Sequence, residues 1–116
     1  MLCRFGLGEV HSYLASVRNL STGQRFRLCL AIAYARLRRP SRLAPSVLLA
    51  DEFATSLDRT SAAIIARNLS RVITAGSSAA IVATCHDDLE KALRPVRVVR
   101  CDFGEYTVHA GMEVSR

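Results

Sequence analysis

No stretch of this 116-residue chain is apolar over the roughly 20 residues a bilayer-spanning helix needs. Its first ten residues, MLCRFGLGEV, also lack a long hydrophobic signal region. Any membrane connection is therefore expected to run through a partner, with no direct membrane insertion. The four cysteines, Cys3, Cys29, Cys85 and Cys101, form no CxxC pair, which excludes a zinc framework or a dithiol redox motif. Three of them lie inside apolar runs, which predicts reduced, buried thiols in a cytoplasmic protein. Internal repeats and low-complexity segments are absent. Lysine is almost absent too: of the 16 basic residues only Lys91 is a lysine.

What remains is a folding composition. Half of the residues are hydrophobic and 22% are charged, which rules out intrinsic disorder. The length suits one small domain, or part of a larger one, with a modest core. The net charge of +6 permits nucleic acid, acidic lipid or phosphate ligands without choosing among them. The arginines are spread along the whole chain.

Periodicity orders the elements. Residues 9–18 are suited to a short helix. Ser21 is placed to cap a helix from about Thr22 to Arg38, whose apolar residues lie on nearly all sides and predict burial. The segment RRPSRLAPS is a basic, proline-broken connection. SVLLA, residues 46–50, reads as a strand buried on both faces. Residues 60–75 form an amphipathic helix pattern with Ala62, Ile65, Leu69, Val72 and Ile73 on one face and Gly76 as its stop. AAIVATC, residues 79–85, is a second buried strand. Residues 87–93 make a short helix ended by Pro95. VRVVRCDF, residues 96–103, is a third strand with which EYTVHAG can pair. The alternation of helix and strand predicts an α/β domain with a parallel sheet.

Four short segments bear chemistry. VLLADE, residues 47–52, ends a strand in two carboxylates, and ligands of open parallel sheets gather at strand carboxyl ends. Asp51 there can hold Mg²⁺, and Glu52 can orient or deprotonate a water. The plainer reading is a solvated acidic turn. Asp58, in ATSLD, can cap the following helix and also face a neighbouring subunit. His86 follows the second strand and can bond a terminal phosphate or position water, although a lone histidine is more often structural. Cys85, His86, Asp87 and Asp88 are consecutive, so their side chains diverge and a zinc site is rejected. LSTGQ, Leu20–Gln24, combines a hydroxyl, a glycine and a helix N-terminus, a good anion receptor and equally a plain capped helix start.

Order and spacing change those odds. LSTGQR, a long helix, VLLADE, SLD and a strand ending in His resemble an ATP-binding-cassette (ABC) ATPase domain over about residues 18 to 102. Leu20–Gln24 resembles the LSGGQ signature, with Thr22 in place of a glycine. Val47–Glu52 resembles the Walker B strand, Ala54–Asp58 the D-loop and His86 the switch histidine. Asp51 to Asp58 is seven residues and Asp58 to His86 is 28, both ordinary spacings for the family. DEF stands where DEP is usual, and the basic segment Arg36–Arg42 lengthens the gap before Walker B. DEF, ATCHDDL and ALRP bring the chain nearer to soluble ABC-type ATPases than to importer subunits.

The family's phosphate loop, GxxxxGK[ST], is missing. Lys91 has no glycine loop before it, GLGE at residues 6–9 is too short, and no Q-loop is identifiable. The resemblance thus implies a partial P-loop NTPase domain with a parallel sheet, lacking the P-loop strand. Residues 1–45 would carry the signature helices and basic loop, and residues 46–116 the Walker B, D-loop and switch-histidine part. ATP and Mg²⁺ are the implied cofactors. Asp51 would take the metal, and Glu52 and His86 would be catalytic. Ser21, Thr22, Gly23, Gln24 and Asp58 would contact nucleotide held by a P-loop-bearing subunit or a homodimer partner. Without its own phosphate cradle the chain is not expected to hydrolyse ATP alone. The alternatives are a non-enzymatic module docking on a complete ABC ATPase, or a nucleic-acid-associated ABC protein suggested by RLRRPSR. That run is more simply a solvated loop. Without the P-loop strand beside it, SVLLA is expected to expose a hydrophobic edge and make the isolated chain poorly soluble.

Overall fold

The structure, a computed structural model, describes residues 5, 6, 8, 16–37 and 46–111. Residues 9–15, Cys3, Arg38 and most of the basic connection lie outside the described residues. A single 3₁₀ turn, Val17–Asn19, leads into helix α1, Thr22–Leu37. Helix α1 buries only Leu30, Ala31 and Tyr34, while Cys29 and Ile32 face outward. The expected burial on nearly all sides is therefore corrected: the helix has one neighbouring layer, and its far side has nothing to pack against among the described residues.

Strand β1, Val47–Ala50, pairs in parallel with β2, Ala79–Val82, Val47 opposite Ala79 and Ala50 opposite Val82. Helix α2, Arg59–Thr74, makes the crossover between them. Its buried residues Ala62, Ile65, Ala66, Leu69 and Val72 follow the 3.6-residue period, and Arg67 and Arg71 lie in solvent. Gly76 follows the helix end without entering the left-handed region. A second 3₁₀ turn, Asp87–Leu89, runs into the short helix α3, Glu90–Leu93, and the chain breaks out through Arg94 at φ 49°.

The third strand does not extend the parallel sheet. β3, Arg97–Asp102, forms a separate antiparallel hairpin with β4, Glu105–Ala110. Phe103 and Gly104, at φ 43° and 87°, supply the two positive-φ positions that a primed hairpin turn needs. The turn pairs β3 with the segment that follows it, and β3 forms no ladder with β2. The result is a mixed α/β arrangement: a two-stranded parallel sheet under helices, with an antiparallel hairpin attached.

One core joins the helices and the parallel sheet, and no hairpin residue belongs to it. Phe5, Leu30 and Tyr34 meet Leu48, Phe53, Leu57, Ile65, Leu69 and Leu89. The Phe5 and Tyr34 rings pack edge to face at 5.8 Å. The parallel strands meet this core with one face only. Leu48 is 6% exposed, but Leu49 on the same strand is 73% exposed and Ile81 opposite it is 64% exposed. Burial of both strands on two faces is thus corrected. The hydrophobic exposure expected for SVLLA is present, and it extends to the open face of the sheet. The cysteine expectation is corrected as well: Cys29, Cys85 and Cys101 are free and exposed.

Candidate functional site

Helix α1 opens on a reciprocal cap. The Ser21 N–H donates to Gln24 Oε1 at 2.9 Å, and the Gln24 N–H donates to Ser21 Oγ at 3.2 Å. This is the S-x-x-Q capping box, and it engages both side chains locally. The N–H groups of Thr22 and Gly23 are left without a bonding partner among the described residues, and the Thr22 side chain is exposed. Gly23 is pressed against the turn that follows β1. A Cβ there would lie 3.0 Å from Leu57 Cδ2 and 3.4 Å from the Ser56 carbonyl. One turn further on, Phe26 packs edge to face on Phe53 at 5.5 Å.

That turn is held in an uncommon backbone form. Glu52 and Ala54 sit at φ 47° and 61°, the left-handed region that non-glycine residues seldom adopt. Local bonds hold it there. Asp51 Oδ1 accepts from the Glu52 N–H at 2.9 Å, and the Glu52 carbonyl accepts from Thr55 Oγ1 at 2.7 Å. Both Asp51 and Glu52 are exposed. The turn ends in Asp58, whose Oδ1 accepts from the Ser61 N–H at 2.9 Å and caps α2. Hydrogen bonding from Ser61, side chain first and backbone second, holds the Asp58 carboxyl below its ordinary value.

The two parallel strands stay bonded beyond their ends. The Ala83 N–H donates to the Ala50 carbonyl, and the Phe53 N–H donates to the Ala83 carbonyl. Thr84 Oγ1 then donates to the Phe53 carbonyl at 3.2 Å and accepts from the His86 N–H at 3.3 Å. His86 is half-buried, and its Nδ1 lies 3.9 Å from Cys85 Sγ. Asp51, Glu52, His86, Asp58 and the Ser21–Gln24 turn thereby come to one end of the sheet, the carboxyl end. Thr84, which couples the two strand ends, had no signal in the sequence. Threonine is ordinary in strands and its role depends on Phe53, 31 residues away.

Among the described residues no group of three or more His, Cys, Asp or Glu side chains converges on a metal position. Among the described residues Asp51 keeps one carboxylate oxygen without a partner, which fits a single ligand to Mg²⁺, an ion that often takes one or two carboxylates plus phosphate oxygens. The described residues do not fit ATP as a ligand held by this chain alone. No glycine loop is present, and Lys91 stands on α3, where it lines a separate cleft between α2 and α3. No helix of the described residues is long and apolar enough to cross a membrane.

Comparisons with protein-family models, with curated proteins and with solved structures give no match to the chain.

Proposed function

We propose that this chain is the signature-bearing, C-terminal part of an ABC-type ATPase domain, and that it completes a nucleotide site together with a polypeptide carrying the P-loop. The observation that carries this reading is the convergence of four separated motif segments on one end of a parallel sheet. The Ser21–Gln24 turn touches the 54–58 turn through Gly23, and the 51–53 segment is bonded to the strand that leads into His86.

In this reading Thr22 and Gly23 offer free N–H groups at the positive end of α1 to phosphate oxygens held by the partner. Ser21 and Gln24 keep that end in shape through the capping box. Asp51 supplies a carboxylate for Mg²⁺, and Glu52 and His86 stand on adjacent strand ends beside it. The bare face around Leu49 and Ile81 supports an incomplete sheet, because parallel sheets are almost always covered on both faces.

Reconstitution tests the proposal. The chain is mixed with a domain bearing GxxxxGK[ST] and with Mg-ATP, and assembly and ATP turnover are followed. Turnover that rises on mixing and is lost with Ser21→Arg supports a composite site. If Glu52→Gln leaves that turnover unchanged, the chain acts as a non-enzymatic docking module. Micromolar binding of Mg-ATP by the chain alone contradicts the proposal.

A further inference from the structure

Helix α2 carries a second stripe, unrelated to its core face. Arg67, Ser70, Arg71 and Thr74 recur at the three- and four-residue spacing of one helix side. Helix α3 and the residue after it set Lys91 and Arg94 against that stripe, and together they enclose an open cleft of about 620 Å³. Among the described residues no acidic and no aromatic side chain lines it. The acids of the adjoining 87–90 segment are paired elsewhere. Asp87 and Glu90 pair with Arg100, at 3.4 and 2.8 Å, and Asp88 pairs with Arg59. None of Arg67, Arg71, Lys91 and Arg94 has an ion-pair partner among the described residues.

Four unpaired cations around one concavity repel one another. The negative end of α2 reaches the cleft at Thr74 and Ala75, and Lys91 stands in the last turn of α3, so helix ends offset part of this repulsion. All four side chains are exposed; two elements place them around a shared space, and two hydroxyls stand beside them. The volume falls within the ordinary range of small-ligand sites, about 300–1,000 Å³.

We propose that this cleft binds a compact anion with several linked phosphates, a function separate from the nucleotide end of the sheet. Arginine forks and the Lys91 ammonium would take non-bridging oxygens, and the Ser70 and Thr74 hydroxyls would donate to those between them. A nucleic-acid strand is disfavoured because such sites stack bases on aromatic side chains, and none lines this cleft. The α2 wall of the cleft lies at the far end of that helix from Asp58. Asp58 to Arg71 is about 20 Å along α2 at 1.5 Å per residue.

The test is isothermal titration of the full chain with tripolyphosphate at physiological salt, alongside orthophosphate and a single-stranded oligothymidylate. The expected result is saturable, one-to-one tripolyphosphate binding, with orthophosphate far weaker. Arg71→Gln and Lys91→Gln, which keep long side chains and leave the core untouched, each weaken it about tenfold, the scale of a lost charge-assisted hydrogen bond. Ser21→Arg leaves it unchanged, which separates this site from the proposed nucleotide end. Absence of tripolyphosphate binding, binding indifferent to both neutralisations, or tighter binding of oligothymidylate overturns the proposal.

Discussion

Gly23 at the start of α1 lies so close to Leu57 that an added Cβ would stand 3.0 Å from the leucine Cδ2. The contact joins two segments separated by more than thirty residues of sequence, and size at position 23 should govern it. Gly23→Ala gains helix propensity, up to about 1 kcal/mol, against a tight contact with Leu57 Cδ2 and an ordinary one with the Ser56 carbonyl, so stability should change little. Gly23→Val pushes a branched side chain into Leu57 and the Ser56 carbonyl and should destabilise by about 1–3 kcal/mol. Chemical denaturation of both variants checks the contrast. Equal losses would show that the glycine serves the backbone and not the contact.

The open sheet face predicts self-association. Leu49 and Ile81 stand opposite each other in the parallel ladder and are largely exposed. Leu49→Thr and Ile81→Thr keep strand-compatible side chains and should alter stability by no more than about 0.5 kcal/mol. They should also raise the concentration at which the chain stays monodisperse in light scattering. A wild-type chain that is already monodisperse at high concentration would argue against an unpartnered face.

The core beneath the other face should behave oppositely. Leu69 is 1% exposed and lies at the centre of the α2 stripe. Leu69→Ala should cost about 2–5 kcal/mol, enough to unfold most of a marginal domain at room temperature. Far-ultraviolet circular dichroism reads the loss directly.

Asp58 predicts an acid-side pH dependence. Its carboxyl is held below the ordinary value of 3.8 by hydrogen bonds from Ser61. The folded pKa is the lower one, so the stabilisation is present above the unfolded value and disappears as pH falls through the folded one. The melting temperature of Asp58→Ala should therefore lie below wild type at neutral pH, and the two curves should converge in acid. A constant gap across the range would assign the effect to packing instead.

The three described cysteines offer a chemical check on exposure. Cys29, Cys85 and Cys101 are all accessible, so each should react with a thiol reagent in the native state without a preceding unfolding step. Modification only in denaturant would return them to the buried state that their apolar neighbours suggest.

Much of the local structure was legible before any coordinate. The Ser21 and Asp58 caps and the amphipathic stripe of α2 follow from bonds and spacings within one turn of helix, while the part of Gln24 in the first cap came from the structure. The β3–β4 pairing is nearly as local, because Phe103 and Gly104 supply its turn. Motif order pointed to Asp51, Glu52, His86 and the Ser21–Gln24 turn as candidates, and their placement near one another needed the long-range contacts of Gly23 with Leu57 and of Thr84 with Phe53.

Exposure was decided elsewhere. A run such as VLLA is equally apolar whether one face or two is covered, and only the tertiary arrangement leaves Leu49 in solvent while Leu48 is buried. The same holds for the cysteines, for β3 leaving the parallel sheet, and for the cleft that brings Lys91 and Arg94 to the stripe of α2. By itself the sequence determined what short-range geometry can enforce: caps, helical faces, turns and the order of its motifs. Which faces meet, which charges are brought together and which residues remain uncovered depended on long-range packing, whose partners are not encoded in any one segment.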